Sequence, residues 1–263
     1  MVEFFDSDGV EIAYEVFNPV SGGGEPILLI HGFASNGRIN WVNPGWVKFL
    51  TDLGRQVIVI DNRGHGESHK LYEPEIYGAE EMALDCSRLL NHLHIGRCDI
   101  MGYSMGARIT AFLAIYHPEQ VRSAVLAGLA DNMVRGFGRG DAIADALEAD
   151  DESAITEIEP RAFRRFAEKT GGDLKALAAC MRSRGHKITS QMLATISARV
   201  LVVAGGADDV AGPVEPLVQA INQGKPDGRE RACGVVLAGR DHMNAVGDRG
   251  YKEAVEEFLE NRP

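Results

Sequence analysis

Cysteine is scarce in this chain. Cys86, Cys98, Cys180 and Cys233 are the only four among 263 residues, and no two stand in a CxxC spacing. Single, scattered thiols beside apolar runs are expected to be reduced and mostly buried, which argues against a disulfide framework or a thiolate metal site. Long apolar runs are missing too, and none approaches the length of a membrane span. The opening MVEFFDSDG lacks a basic segment followed by an apolar stretch, so no secretory signal is expected there. Positive charge is also short. Lys and Arg total 27 against 38 Asp and Glu, a formal net charge of -11. So acidic a chain is a poor partner for nucleic acid or an anionic membrane surface. Like charges never run long enough to suggest a disordered tail, and no repeat is present. The expectation is a cytoplasmic protein with a small-molecule partner, of unassigned oligomeric state.

Apolar residues make up 45% of the chain and charged residues 25%, ordinary proportions for a globular core. The length suits one large α/β domain with a small insertion. VEFFD and VEIAYEVF flank a DSDG turn and predict an edge hairpin. The runs PILLIHG, QVIVIDNRG, CDIMGYS, VRSAVLAGLA, RVLVVAGG and GVVLAG then alternate with helical patterns. Such runs suit parallel strands covered on both faces by helices. GYKEAVEEFLEN predicts an amphipathic closing helix.

The rhythm breaks once. Residues 132–196 carry no strand signal and read as helices: DAIADALEA, then RAFRRFAEKT opened by Pro160 and closed by Gly171-Gly172. Asp173 is placed to cap LKALAACMRS, Gly185 to end it, and Ser190 to cap QMLATI. A helical insertion between two core strands predicts a cap over the strand ends, since so short a segment builds little core of its own. The expected division is a core of residues 1–131 and 197–263 and a cap of residues 132–196.

GYSMG, residues 102–106, lies where a strand hands over to a helix. Glycine at 102 and 106 permits a turn sharp enough to project the Ser104 hydroxyl outward, and the Met105 amide then begins a helix. A serine is a weak nucleophile alone; it needs a base, an orienting acid and donors for an oxyanion. His31 and Gly32 open a loop whose Phe33 N–H is expected to lie beside that of Met105. Asp208 follows RVLVVA and His242 follows GVVLA. His242 is the expected base. The other histidines are expected in turns, loops or helix ends, with His65 tightening a turn beside Arg63.

HGFASN, DNRGHGES, GYSMG, GADDVAGP and GRDH, in this order, resemble the oxyanion loop, turn signature, nucleophile elbow, acid loop and histidine loop of the α/β-hydrolase family, over nearly the whole chain. The resemblance implies a mostly parallel eight-stranded sheet flanked by helices, a helical cap inserted after strand 6, and catalysis without cofactor or metal. It implies Ser104, Asp208 and His242 as the triad. Asp131, after the sixth strand, stays open as the alternative acid. Asp61 and Arg63 are expected to form a structural hydrogen-bonding unit. Trp41, Phe137, Phe163, Phe166 and Met181 are candidate pocket residues. The activity implied is hydrolysis of a small ester. C–C bond hydrolysis of a dienoate, perhydrolysis and ligand sensing by a slow triad remain as alternatives.

Overall fold

Runs of β-branched and aliphatic residues set the frame of the protein. The computed structural model describes residues 1–20, 23–136, 138–223 and 228–261. Its strands are β1 (Glu3–Ser7), β2 (Val10–Phe17), β3 (Gly24–Ile30), β4 (Arg55–Ile60), β5 (Cys98–Tyr103), β6 (Val121–Ala127), β7 (Arg199–Gly205) and β8 (Ala232–Leu237). They form one eight-stranded sheet in the order β1-β2-β4-β3-β5-β6-β7-β8. The β1–β2 hairpin pairs antiparallel and joins β4 antiparallel; every other pairing is parallel. Asp8 and Gly9 take positive φ in the hairpin turn.

Helices cover both faces because the central strands are apolar on both. On one face, α2 (Ala79–His92), α3 (Met105–Tyr116) and α9 (Val214–Asn222) enclose a core with Leu28, Ile100, Phe112, Leu126 and Val202. On the other, α1 (Trp46–Asp52) and α10 (Arg249–Glu260) bury Trp46, Leu50, Tyr251 and Phe258 against Leu29, Met101 and Val203. Cys86 and Cys98 are buried and Cys180 half-buried, but Cys233 is exposed, because β8 is the sheet's last strand.

Between β6 and β7 the chain forms α4 (Asn132–Arg135), α5 (Gly140–Glu148), α6 (Ile158–Thr170), α7 (Leu174–Arg182) and α8 (Ser190–Ala194). Their caps follow the sequence closely. Gly171 ends α6 in the left-handed region, and the Asp173 carboxylate accepts from the amides of Lys175 and Ala176. Helix α7 stops at Arg182, before Gly185. The cap of α8 is Thr189 and not Ser190: its hydroxyl accepts from Met192 N, one residue ahead of the expected position. Ile143, Leu147, Ala167 and Leu177 form a small apolar cluster completed by Phe33 and Ala34 of the loop after β3. These helices therefore rest on the core at that loop.

In-register pairing aligns the strand ends: Ile30 with Gly102, Gly102 with Leu126, Leu126 with Val202, and Val202 with Gly234. Loops leaving the carboxyl ends of β3, β5, β7 and β8 consequently meet in one place, the usual ligand-binding edge of such sheets. Among the described residues no helix is long and apolar enough to cross a membrane.

Candidate active site

Ser104 sits between β5 and α3 at φ 55°, ψ -115°, a conformation that L-residues avoid. Packing enforces it. A Cβ at Gly102 would lie 2.1 Å from Gly106 O, and one at Gly106 would lie 2.0 Å from Ile30 O. Only glycine lets β5, β3 and α3 approach so closely. The Ser104 amide is itself tied to Ala127 O at 2.7 Å, so the turn is fixed from both sides.

His242 stands with Nε2 3.0 Å from Ser104 Oγ and Nδ1 2.9 Å from Asp208 Oδ2. With Nδ1–H donating to the carboxylate, Nε2 is left as acceptor for the serine hydroxyl. The Asp208 side chain is fully buried, while that of His242 keeps 16% exposure. Asp208 also accepts from the Ala211 amide at 2.9 Å, which anchors the carboxylate independently of the imidazole. A Cβ at Gly205 would meet Arg240 O at 2.1 Å, so the end of β7 and the histidine loop depend on glycine for their contact.

Tyr103, unremarked in the sequence, holds the same loop. Its hydroxyl donates to the His242 carbonyl at 2.6 Å, and the rings lie 5.4 Å apart. Burial raises the phenol pKa well above its ordinary value, which keeps the donor protonated. Its place between Gly102 and Ser104 was the available signal.

The Phe33 amide has no acceptor among the described residues, and Met105, first in α3, has none within its helix. The loop carrying Phe33 is braced from behind. Asn40 Oδ1 accepts from Gly32 N at 3.1 Å. His31 Nδ1–H donates to Gly32 O at 2.7 Å, and Nε2 accepts from Asn62 N at 2.9 Å. Burial lowers the His31 pKa to about 4. It is a neutral strut and does not face Ser104. His65 donates to Arg63 O and lies 5.2 Å from the His31 ring; burial, then the neighbouring His31, lower its pKa to about 3.

Two expectations need correction, and the alternative acid is engaged elsewhere. Asp61 and Arg63 do not pair. Asp61 accepts from the Gly37 and Glu67 amides, while Arg63 forms a two-point ion pair with Asp85 of α2 at 2.7 Å. Trp41 does not reach the pocket: a turn of π-helix at Arg38–Val42 directs it into the core, fully buried, edge-on to Trp46. Asp131 pairs with Arg135 at 2.7 Å, one turn along its own helix, and its side chain makes no contact with His242 among the described residues. Phe137 lies outside the described residues.

Ser104 lies where two chambers meet. One, of about 260 Å³, is walled by His242, Tyr103, Phe163, Phe166, Val210 and Val246. The other, of about 420 Å³, runs past Met105, Arg108, Leu129 and Met181 toward Glu80 and Lys187. Phe163 stands between them and lines both. Among the described residues no group of His, Cys, Asp or Glu is placed to hold a metal ion.

An eight-stranded, mostly parallel sheet with a serine on its central strand-to-helix turn defines the class of protein. Residues 25–152 match the model of the alpha/beta hydrolase fold. The chain is 30% identical over 161 residues to the zebrafish (Danio rerio) sn-1-specific diacylglycerol lipase ABHD11, covering 60% of this chain and 48% of that protein. It is 26% identical to the (E)-2-((N-methylformamido)methylene)succinate hydrolase of Acinetobacter baylyi, over 92% of this chain and 93% of that one. The solved enol-lactonase of Burkholderia xenovorans superimposes with a TM-score of 0.73 at 24% identity, covering 98% of this chain and 99% of that one. The chain spans about half the length of the first curated relatives it matches. Its fold is that of the α/β hydrolases.

Proposed function

We propose that the protein is a serine hydrolase of small carboxylic esters, with Ser104 as nucleophile, His242 as base and Asp208 as orienting acid. The observation that carries this reading is the unbroken chain of contacts from Asp208 Oδ2 to His242 Nδ1 at 2.9 Å and from His242 Nε2 to Ser104 Oγ at 3.0 Å. Ser104 Oγ attacks the ester carbonyl as its proton passes to His242 Nε2. The buried Asp208 carboxylate stabilises the imidazolium that forms. The new oxyanion is held by the N–H groups of Phe33 and Met105, each worth about 10²–10³ in rate in comparable sites. The C–O bond to the alcohol then breaks, and His242 returns the proton to the departing oxygen. A water activated by His242 cleaves the acyl-enzyme and restores Ser104. None of these steps calls on a metal or an organic cofactor.

In the same reading residues 132–196 act as a cap over the core of residues 1–131 and 197–263. Phe163, Phe166 and Met181 line the space beside the nucleophile from that side. Apolar walls exclude water and orient the substrate, while the chemistry stays with the core. A panel of alkyl esters with graded acyl and alcohol lengths, with one dienoate ring-cleavage product included, tests the assignment. Multiple turnover on short esters is expected. Turnover confined to the dienoate would replace ester hydrolysis with C–C bond cleavage, and single-turnover behaviour on every compound would favour a sensor.

A further inference from the structure

The larger chamber holds a cation that neither fold nor ester chemistry explains. Arg108 lies one helical turn beyond Ser104 on α3, and helical side chains lean toward the N-terminus, here toward the nucleophile. Arg108 lines the larger chamber. The one hydrogen bond of its side chain among the described residues is a long one, Nη2 to Asn132 O at 3.4 Å, and no carboxylate lies within ion-pair distance of it there. Arg184, the other arginine of the chamber, pairs with Asp141 at 3.0 Å, and the Glu80 carboxylate is engaged by the His186 ring at 2.7 Å. Arg108 and the exposed Lys187 therefore leave the chamber positive, within a chain of net charge -11. A half-buried guanidinium with no carboxylate partner among the described residues keeps most of its five N–H donors free to face the chamber. Burial lowers the Arg108 pKa, and Glu80 only partly offsets this.

The two chambers also differ in what they offer the reaction. His242 walls the smaller chamber and is absent from the larger. The group that leaves must accept its proton from His242, so the alcohol lies in the smaller, apolar chamber. The acyl chain is then directed into the larger one, toward Arg108. Resting on Ser104 as nucleophile, we propose that Arg108 is a specificity residue that binds a carboxylate carried on the acyl part of the substrate. The substrate class is the half-ester of a short dicarboxylic acid, with an apolar alcohol portion.

Three esters separate the possibilities. Monobutyl glutarate carries the charge on the acyl side, 4-(pentanoyloxy)butanoate carries it on the alcohol side, and butyl pentanoate is neutral. The native protein is expected to prefer monobutyl glutarate in kcat/KM. Arg108→Gln should lower the ratio of monobutyl glutarate to butyl pentanoate by about 10- to 100-fold, the worth of a charged hydrogen bond, and Arg108→Lys should restore part of it. The ratio of 4-(pentanoyloxy)butanoate to butyl pentanoate should not move. Thermal melts establish that each variant is folded.

A binding arm is independent of turnover. The Ser104→Ala variant, titrated calorimetrically with monobutyl glutarate, should bind it and should lose about 10-fold or more in affinity when Arg108→Gln is added. Esters turned over with no preference for the acyl carboxylate, or affinity indifferent to Arg108, would overturn the carboxylate site and leave the hydrolase assignment standing. No ester turnover together with Arg108-dependent binding would do the reverse. A preference that moves to the alcohol-side carboxylate in an Arg108-dependent way would overturn the proposed orientation.

Discussion

At Ser104 the backbone is held where a residue with a side chain costs of order 1–3 kcal/mol, and the surrounding packing leaves it no other course. That cost was visible in the sequence as two glycines flanking a serine. The acid was less legible. Asp208 and Asp131 both follow strands of the central sheet, and the sequence favoured Asp208 while keeping Asp131 open as the alternative. The structure separates them by contact: Asp208 faces His242 Nδ1, while Asp131 is engaged by Arg135. Asp208→Asn should therefore cut kcat by about 10³–10⁴-fold, because an amide favours the wrong imidazole tautomer, whereas Asp131→Asn should cost less than about 10-fold. Steady-state kinetics of the two variants on one ester checks this, and a larger loss at Asp131 would reverse the assignment. Arg108 and Asp85 were harder to find. Their importance lies in what stands opposite them across the fold, and a periodic helix pattern carries no trace of that.

Elements were read more easily than contacts. Each strand of the parallel sheet announced itself as a short apolar run, because burial on both faces removes the need for alternation. Helix ends followed Gly171 and Asp173, whose conformational and hydrogen-bonding preferences act locally. Trp41 shows where such reading stops. It is near the loop in sequence, yet the π-helical turn at Arg38–Val42 rotates it into the core. Helix α6 carries Phe163 and Phe166 to the two chambers, and the apolar cluster with Phe33 ties that helix to the loop bearing a proposed oxyanion donor. If the smaller chamber takes the alcohol, Phe166→Ala should reduce discrimination between butyl and methyl esters of one acid by about 10-fold, since a methylene in an apolar pocket is worth ~1–3 kcal/mol. The ratio of kcat/KM values measures it. An unchanged ratio would mean that Phe166 only packs α6 against the core.

For the whole molecule, the buried histidines make stability depend on pH. His31 and His65 titrate in the folded protein near about 4 and about 3 because burial opposes their charging. Free histidine takes its proton near ~6.5, so between these values the unfolded chain binds more protons than the folded one. Stability should accordingly fall as pH drops below about 6.5, by up to ~1.4 kcal/mol per pH unit for each histidine, and the loss levels off below the folded values. Urea melts between pH 6.5 and 5 should record this slope, and His31→Gln should make it shallower. A stability that stays flat across that window would mean that the two imidazoles are not shielded from protonation. Both rings support the loop after β3, so the same acidification loosens the edge of the sheet where Ser104 stands.

The most direct measurement is to treat the protein with a small ethyl fluorophosphonate and locate the adduct by mass spectrometry, alongside ester turnover. A nucleophile activated by His242 and Asp208 should carry the phosphonyl group on the peptide containing Ser104, one group per chain. The Ser104→Ala variant should take up none, and its kcat should fall by about 10³-fold or more while its melting temperature stays near that of the native protein. An adduct on another residue, or turnover near the native rate in folded Ser104→Ala, would contradict Ser104 as the nucleophile.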